Sequence, residues 1–98
     1  MITRIVKLSF NKGKGDFFIE EFEKVAEKIR GFEGNLYLEG LQNIDDPDVV
    51  FTYSKWSSQA ALDNYRKSDV FGSIWPKIKK EFRSKPEAWS ANVLKEFK

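Results

Sequence analysis

Apolar and polar residues alternate in four segments of the chain, and this period of two predicts four β-strands. The predicted strands span residues 2–10, 34–42, 49–56 and 89–97. One face of the first strand carries Ile2, Arg4, Val6, Leu8 and Phe10. The second and third strands are apolar on both faces, so we expect a sheet that is covered on both sides.

Other segments carry apolar residues three or four positions apart, which predicts helices. The first predicted helix spans residues 17–30, and Asp16 is a plausible N-cap for it. A short second helix follows the third strand, with Ser57 or Ser58 as its N-cap, and ends near residue 67.

The third predicted helix is capped by Ser68 and Asp69 and ends before Pro86. Its apolar stripe is the widest in the chain and consists of Phe71, Ile74, Trp75, Ile78 and Phe82. Pro76 lies inside this helix, but the residue four positions earlier is Gly72, so we expect a bend there and not a stop. Such a stripe either packs on the sheet or covers a pocket above it.

The order of these elements is strand, helix, strand, strand, helix pair, strand. It is typical of an α+β, ferredoxin-like βαββαβ fold with a four-stranded antiparallel sheet. The 98 residues predict a single domain over 1–98. Because the helices can cover one sheet face only, the simplest cover for the other is a second copy of the sheet. We therefore expect a homodimer whose two sheets close into an α+β barrel, with Tyr37 and Tyr53 in its interior.

Composition removes several kinds of chemistry. The chain has no cysteine, which excludes disulfides, thiolate metal sites and a cysteine nucleophile. It also has no histidine, which removes the usual zinc and heme ligand, the commonest general base and every Ser-His-Asp triad. We expect no metal site.

Charge and hydrophobicity along the chain bear on its partners and location. A net charge of +2, with its charges interleaved, does not favour nucleic acid. One basic cluster, consisting of Lys77, Lys79, Lys80, Arg83 and Lys85, is interpreted as the solvated face and last turn of a helix, with phosphate or membrane contact as the alternative. No apolar run is long enough for a signal peptide or a membrane span, so we expect a cytoplasmic protein.

Three stretches resemble a known family. They are the strand FTYSKW ending in Trp56, the segment SSQAALDNYRKSDVF, and the amphipathic stretch through Phe82. They are similar to the antibiotic-biosynthesis-monooxygenase-like family of dimeric α+β barrels, which includes quinol oxygenases, polyketide-tailoring oxygenases and heme-degrading monooxygenases. The heme-degrading branch would place an asparagine, a tryptophan and a heme-ligating histidine where this chain has Val6, Trp56 and Trp75. Only the tryptophan is kept, so heme ligation of that type is not expected.

The resemblance to the quinol and polyketide oxygenases implies chemistry without metal, flavin or any other cofactor. There the deprotonated aromatic substrate reacts with oxygen, so the protein must exclude water, hold a flat ring and stabilise a phenolate. The catalytic candidates are Trp56, Arg4 and Tyr65: an indole that stacks the ring and offers an N–H, a cation, and a proton-transfer partner. The predicted substrate-binding residues are Val6, Leu8, Trp56, Phe71, Trp75 and Ile78.

Two functions stay open at this point. One is a cofactor-independent monooxygenase acting on a small aromatic, quinol-like molecule; the other is a non-catalytic homodimeric small-molecule-binding or regulatory module. In the second case Phe71, Trp75 and Ile78 are packing residues, and Arg4 is an ion-pair partner for Glu or Asp at the surface or at the dimer edge. An open cavity of at least ~300 Å³ that touches Trp56 favours the enzyme, and a closed, dry core favours the binding module.

Overall fold

The computed structural model describes residues 1–98 as one four-stranded sheet with three helices. The elements in chain order are β1 (Ile2–Ser9), α1 (Lys14–Arg30), β2 (Asn35–Gln42), β3 (Val49–Trp56), α2 (Gln59–Arg66), α3 (Asp69–Lys79) and β4 (Glu87–Ala91). The strands lie in the order β2-β3-β1-β4, and every neighbouring pair is antiparallel. The predicted α+β, ferredoxin-like βαββαβ fold is confirmed.

In the two central strands, β1 and β3, even-numbered residues lie opposite even-numbered residues and share one face of the sheet, while the odd-numbered residues share the other. Leu8 of β1 lies opposite Val50 of β3, and both belong to the core between sheet and helices. One contiguous cluster of six buried apolar residues consists of Leu8, Phe10, Phe18, Val50, Ile74 and Ile78. Because side chains alternate along a strand, the other even-numbered residues of β1 and β3 share this helix-covered face.

The N-terminus of α1 is held by a residue that is distant in sequence. Asp16 was the predicted N-cap, but the helix begins at Lys14 after Gly13, whose φ is 83°. The backbone N–H groups of Gly13 and Gly15 donate to the Asp48 carboxylate at 3.0–3.2 Å. A Cβ atom at Gly15 would collide with the carbonyl oxygen of Pro47, so the loop before β3 fits only against a glycine there. The cap prediction was wrong because the carboxylate comes from another segment.

The helix α3 continues through Pro76, as the sequence predicts, but it ends at Lys79 and not at the predicted Pro86. Phe82 therefore lies outside the helix, in a backbone bridge with Phe10. The N–H of Arg83 donates to the carbonyl of Ser9 at 3.0 Å. These bonds to the end of β1 replace the helical hydrogen bonds, which is why the helix stops early.

The strand β4 covers Glu87–Ala91, whereas the prediction ran from residue 89 to residue 97. Its only neighbour is β1, and the pairing ends where Thr3 meets Ala91, at the start of β1. Residues after Ala91 have no partner backbone, so the alternating pattern that continues to Phe97 forms no strand.

The sheet face opposite the helices is open in the single chain. Its central part carries Ile5, Phe51 and Tyr53, which are half-buried, and its margins carry Tyr37 and Trp89, which are exposed. An apolar face of this kind is unusual for a surface in contact with water. None of the three helices combines the length and the hydrophobicity needed to cross a membrane.

Candidate functional site

A cavity of about 390 Å³ lies between the helix-covered sheet face and the helices. Fourteen of the nineteen residues that line it are hydrophobic. All of the site residues predicted from the sequence are among them: Arg4, Val6, Leu8, Trp56, Tyr65, Phe71, Trp75 and Ile78. The apolar stripe of α3 therefore borders a space, in addition to packing through Ile74 and Ile78 in the core.

Each wall of the cavity comes from a different element. The sheet contributes the even-numbered side chains of β1 and β3, including Val6 and Thr52, which face each other across the strands. The helix α3 contributes Phe71 and Trp75, and the end of α2 contributes Tyr65 and Arg66. The local period of each element decides which residues face inward, and the packing of the elements leaves the space between them.

An aromatic arc, consisting of Trp56, Tyr65, Phe71 and Trp75, runs along one side of the cavity. Trp56 stacks on Tyr65 with ring centroids 5.0 Å apart, and Tyr65 meets Phe71 edge to face at 5.5 Å. Phe71 then stacks on Trp75 at 5.3 Å. Trp56 and Trp75 are thus connected through two other rings, and Trp75 lines the cavity without filling it. Offset stacks of this geometry provide flat apolar surfaces for another ring.

Trp56 is both a core residue and a cavity wall, with 1% of its surface exposed. Its indole N–H donates to the hydroxyl of Ser54 at 2.9 Å. The expected donor is therefore engaged within the protein, and the buried indole ring supports the cavity wall. Ser54 also lines the cavity. Sequence reasoning missed Ser54, although the Ser-x-Trp spacing puts both residues on one strand face.

Arg4 is half-buried on the wall formed by β1. One guanidinium nitrogen, Nη1, donates to the hydroxyl of Ser90 on the neighbouring strand β4 at 3.0 Å. Burial is the largest influence on the pKa of Arg4 and lowers it; the positive charge of Arg66 lowers it further, and Asp63 opposes the change. Within the single chain, no ion pair includes Arg4.

Tyr65 is mostly enclosed by its aromatic neighbours. Burial raises the pKa of Tyr65 to about 12, because the charged phenolate loses the solvation it would have in water. At neutral pH the phenol therefore keeps its proton. In the site it can donate a hydrogen bond to a developing anion, but it is a poor general base.

Arg66 is the lining residue of greatest chemical interest that sequence reasoning missed. It is the last residue of α2, where a basic side chain is ordinary because it complements the helix dipole. That position gave no signal of a site. No cluster of three or more acidic, histidine or cysteine side chains is arranged to bind a metal ion.

The fold and the cavity define the class: a ferredoxin-like α+β protein whose helices and sheet border an apolar, ligand-sized space. Within this class, the family model for antibiotic biosynthesis monooxygenases matches residues 1–75. The chain belongs to the antibiotic biosynthesis monooxygenase family.

Solved structures repeat this fold at low sequence identity. One described as an antibiotic biosynthesis monooxygenase has a TM-score of 0.90 and 19% identity, covering 97% of this chain and 100% of its own. A candidate antibiotic biosynthesis monooxygenase from Nitrosomonas europaea has a TM-score of 0.90 and 18% identity, with the same coverage. A conserved protein from Methanosarcina mazei Go1 has a TM-score of 0.84 and 21% identity, covering 93% and 91%. At these identities the likeness shows the fold alone. No curated protein matches the sequence.

Proposed function

We propose that the protein is a monooxygenase that works without a metal or organic cofactor on a small aromatic, quinol-like molecule. The observation that carries this proposal is the apolar cavity of about 390 Å³ in contact with both Trp56 and Arg4. This volume lies within the range of small-molecule sites, and a cavity in contact with Trp56 is the feature that favours an enzyme over a closed core. Membership of the monooxygenase family supports the same reaction class.

The residues have separate roles in this proposal. The aromatic arc holds the substrate ring flat and keeps water away from it. Arg4 stabilises the phenolate that forms when a substrate hydroxyl loses its proton, and the Tyr65 hydroxyl donates a hydrogen bond to the same anion. Both effects gain strength because the cavity wall is largely apolar.

The reaction balances with oxygen as the sole co-reactant. The deprotonated ring transfers electrons to O₂, and one oxygen atom enters the ring at carbon. The other oxygen leaves as water, and the substrate supplies all four electrons, so that a quinol becomes a hydroxyquinone. The protein contributes position and charge stabilisation, and the electron-rich ring provides the reactivity.

Oxygen uptake tests this function. The purified protein is mixed with a panel of quinols and anthrones in an oxygen electrode, and we expect uptake of one O₂ per substrate. Arg4→Gln should lower the rate by at least about tenfold, in line with the loss of one charged stabilising group. Arg83→Gln is the matched control, because Arg83 pairs with Asp46 and does not line the cavity. A folded protein that gives no uptake with any member of the panel would remove the enzymatic claim.

A second candidate is a binding or regulatory module that keeps the cavity and lacks turnover. One observation favours it: no acidic or histidine side chain lines the cavity, so no ordinary general base faces a bound hydroxyl. This module would bind aromatic rings with an affinity that is the same with and without oxygen, and the bound ligand would be recovered unchanged by chromatography.

The assembly we propose is a homodimer formed through the open sheet face. Ile5, Phe51, Tyr53 and Trp89 would be removed from water in such a pair, which offsets the cost of an uncovered apolar face. A location in the cytoplasm is also part of this proposal, and cell fractionation with an antibody against the chain would test it.

A further inference from the structure

The charges around the cavity are one-sided. Two of the lining residues, Arg4 and Arg66, carry positive charge, and none of the lining residues is acidic. None of the ion pairs in the protein includes either arginine. Exposed lysines such as Lys67 and Lys80 also have no carboxylate partner, but they lie in water, whereas Arg4 is half-buried on a largely apolar wall. The cavity therefore carries a positive charge that the chain itself does not neutralise by direct contact.

The two guanidinium groups reach the cavity from different elements. Arg4 stands half-buried on β1, where the hydrogen bond to Ser90 holds one side of its guanidinium. Arg66 is exposed at the end of α2, next to Tyr65. Tyr65, Arg66 and Arg4 all line the same cavity, so a ligand bound there has an aromatic surface and both cations within the same space. The helix dipole accounts for a cation at position 66, but it does not account for a second cation on the strand.

The arrangement is unfavourable without an anion. Burial and the charge of Arg66 both act to lower the pKa of Arg4, which means that its positive form is destabilised by its surroundings. Asp63 opposes this effect, but its carboxylate accepts a hydrogen bond from Gln59 at 2.9 Å and it does not line the cavity. A permanent anion between the two guanidinium groups would remove both the repulsion and the poor solvation.

We propose that the ligand of this cavity is an aromatic acid, whose carboxylate binds Arg4 and Arg66 while its ring lies on the aromatic arc. A guanidinium presents paired N–H donors that match the two oxygens of a carboxylate, and such charge-assisted bonds are shorter and stronger than neutral ones. A neutral quinol would fill the apolar part but leave the two cations without a partner. This inference rests on the proposed function for the ring and adds the second feature that the substrate must carry.

Two probes that differ only in charge test the inference without any turnover. 1-Naphthoate and 1-naphthamide have the same ring and nearly the same shape, and neither reacts with oxygen under these conditions. Binding to the full chain is measured by tryptophan fluorescence and by calorimetry. We expect naphthoate to bind at least about tenfold more tightly than naphthamide, which is the size of one charge-assisted hydrogen bond.

Variants then assign the preference to the two arginines. Arg66→Gln should reduce the preference for naphthoate over naphthamide several-fold, and adding Arg4→Gln should abolish the preference. Lys67→Gln is the control, because Lys67 is an exposed basic residue adjacent to Arg66 that does not line the cavity. Circular dichroism verifies that each variant is folded.

The outcomes separate this inference from the proposed reaction. A preference for naphthoate that disappears in the double variant supports the inference, even if no quinol is ever oxidised. Equal binding of the two probes, a preference that survives the double variant, or no binding of either probe to the folded protein overturns it. In each of these cases oxygen uptake with a neutral quinol would still leave the monooxygenase proposal standing.

Discussion

The two faces of the sheet use apolar residues for different purposes. On the helix-covered face Leu8 and Trp56 are almost completely buried, and together with the helices they border a cavity. On the open face Trp89 is 49% exposed and Ile5 and Tyr53 are half-buried, with no element of the chain above them. Hydrophobicity alone therefore does not separate packing from recognition. The first face stabilises the fold and leaves space for a ligand, and the second needs a partner from outside the chain.

The largest expected effect is on the free energy of unfolding, when an aromatic side chain is removed from the helix-covered side of the sheet. Phe10 is completely buried, and its ring lies 5.3 Å from those of Phe18 and Phe82. Phe10→Ala should lower the free energy of unfolding by about 3–5 kcal/mol, since it removes apolar contact and leaves a hole. Urea denaturation followed by circular dichroism measures this change.

The control for Phe10 is the same substitution at Phe97, which is 82% exposed in the C-terminal segment. Phe97→Ala should change the free energy of unfolding by less than about 0.5 kcal/mol. Equal losses from the two substitutions would mean that the covered face is not where the stability of the chain resides.

The next effect concerns the open face and its partner. Analytical ultracentrifugation at micromolar concentration should give twice the mass of the 11.4 kDa chain. Trp89→Lys should weaken the dimer by at least about 100-fold, because the lysine ammonium would be buried against an apolar surface. Ile44→Lys, at a loop position that is 96% exposed, is the matched control and should leave the dimer intact. A wild-type protein that sediments as a stable monomer would show that this face meets water.

A pH experiment compares one tyrosine from each region. The pKa of Tyr65 is about 12 in the folded protein, above its ordinary value of 10.0. Below pH 10 both states are protonated, and the phenol does not change stability. Between pH 10 and 12 the unfolded chain loses this proton while the folded chain keeps it, so rising pH should favour unfolding by roughly 2 kcal/mol in total. Tyr65→Phe should remove this part of the alkaline loss of stability, and an equally steep loss in that variant would refute the assignment.

Tyr37 on the margin of the open face provides the contrast. Its pKa is raised because its hydroxyl donates to the Glu39 carboxylate at 2.7 Å, and the negative charge of Glu39 adds to the effect. An exposed pair of this kind is screened by salt, whereas burial is not. Raising the salt concentration to about 1 M should therefore lower the pKa of Tyr37 and leave the pKa of Tyr65 unchanged. NMR of the ring protons follows both titrations.

The smallest effect in this series comes from filling the cavity. Val6 points into it from β1, and its neighbour Ile5 lies on the opposite face. Val6→Phe should weaken the binding of 1-naphthoate about tenfold, at a stability cost of about 1–3 kcal/mol. Ile5→Phe adds the same ring to the other face and should leave naphthoate binding unchanged. If both variants bind as well as the wild type, the ligand does not occupy this cavity.

Much of the fold could be predicted from local pattern. The limits of β3, the cap of α2 at Ser58 and the cap of α3 at Ser68 follow from features within a few residues. The errors occur where a distant segment decides the outcome. The strand β4 extends only as far as its pairing with β1, which ends where Ala91 meets Thr3, and the N-terminus of α1 is held by Asp48 from the loop before β3.

The candidate site divides in the same way. Strand alternation and helical spacing placed residues such as Val6, Trp56 and Trp75 on inward faces, and the structure brings them to one cavity. Arg66 and Ser54 were missed, because a basic residue at a helix end and a serine in a strand are common without any site. Their importance depends on neighbours from other elements.

The sequence by itself determined which side chains share a face and which faces are apolar, because these properties repeat over two to four residues and need no distant contact. The tertiary structure decided that Trp56 and Trp75 line one cavity and that the Trp56 N–H donates to the Ser54 hydroxyl. It also decided that Arg66 lines the same cavity as Arg4. These are distances between elements. They depend on how strands and helices pack in three dimensions, which no local pattern in the chain records.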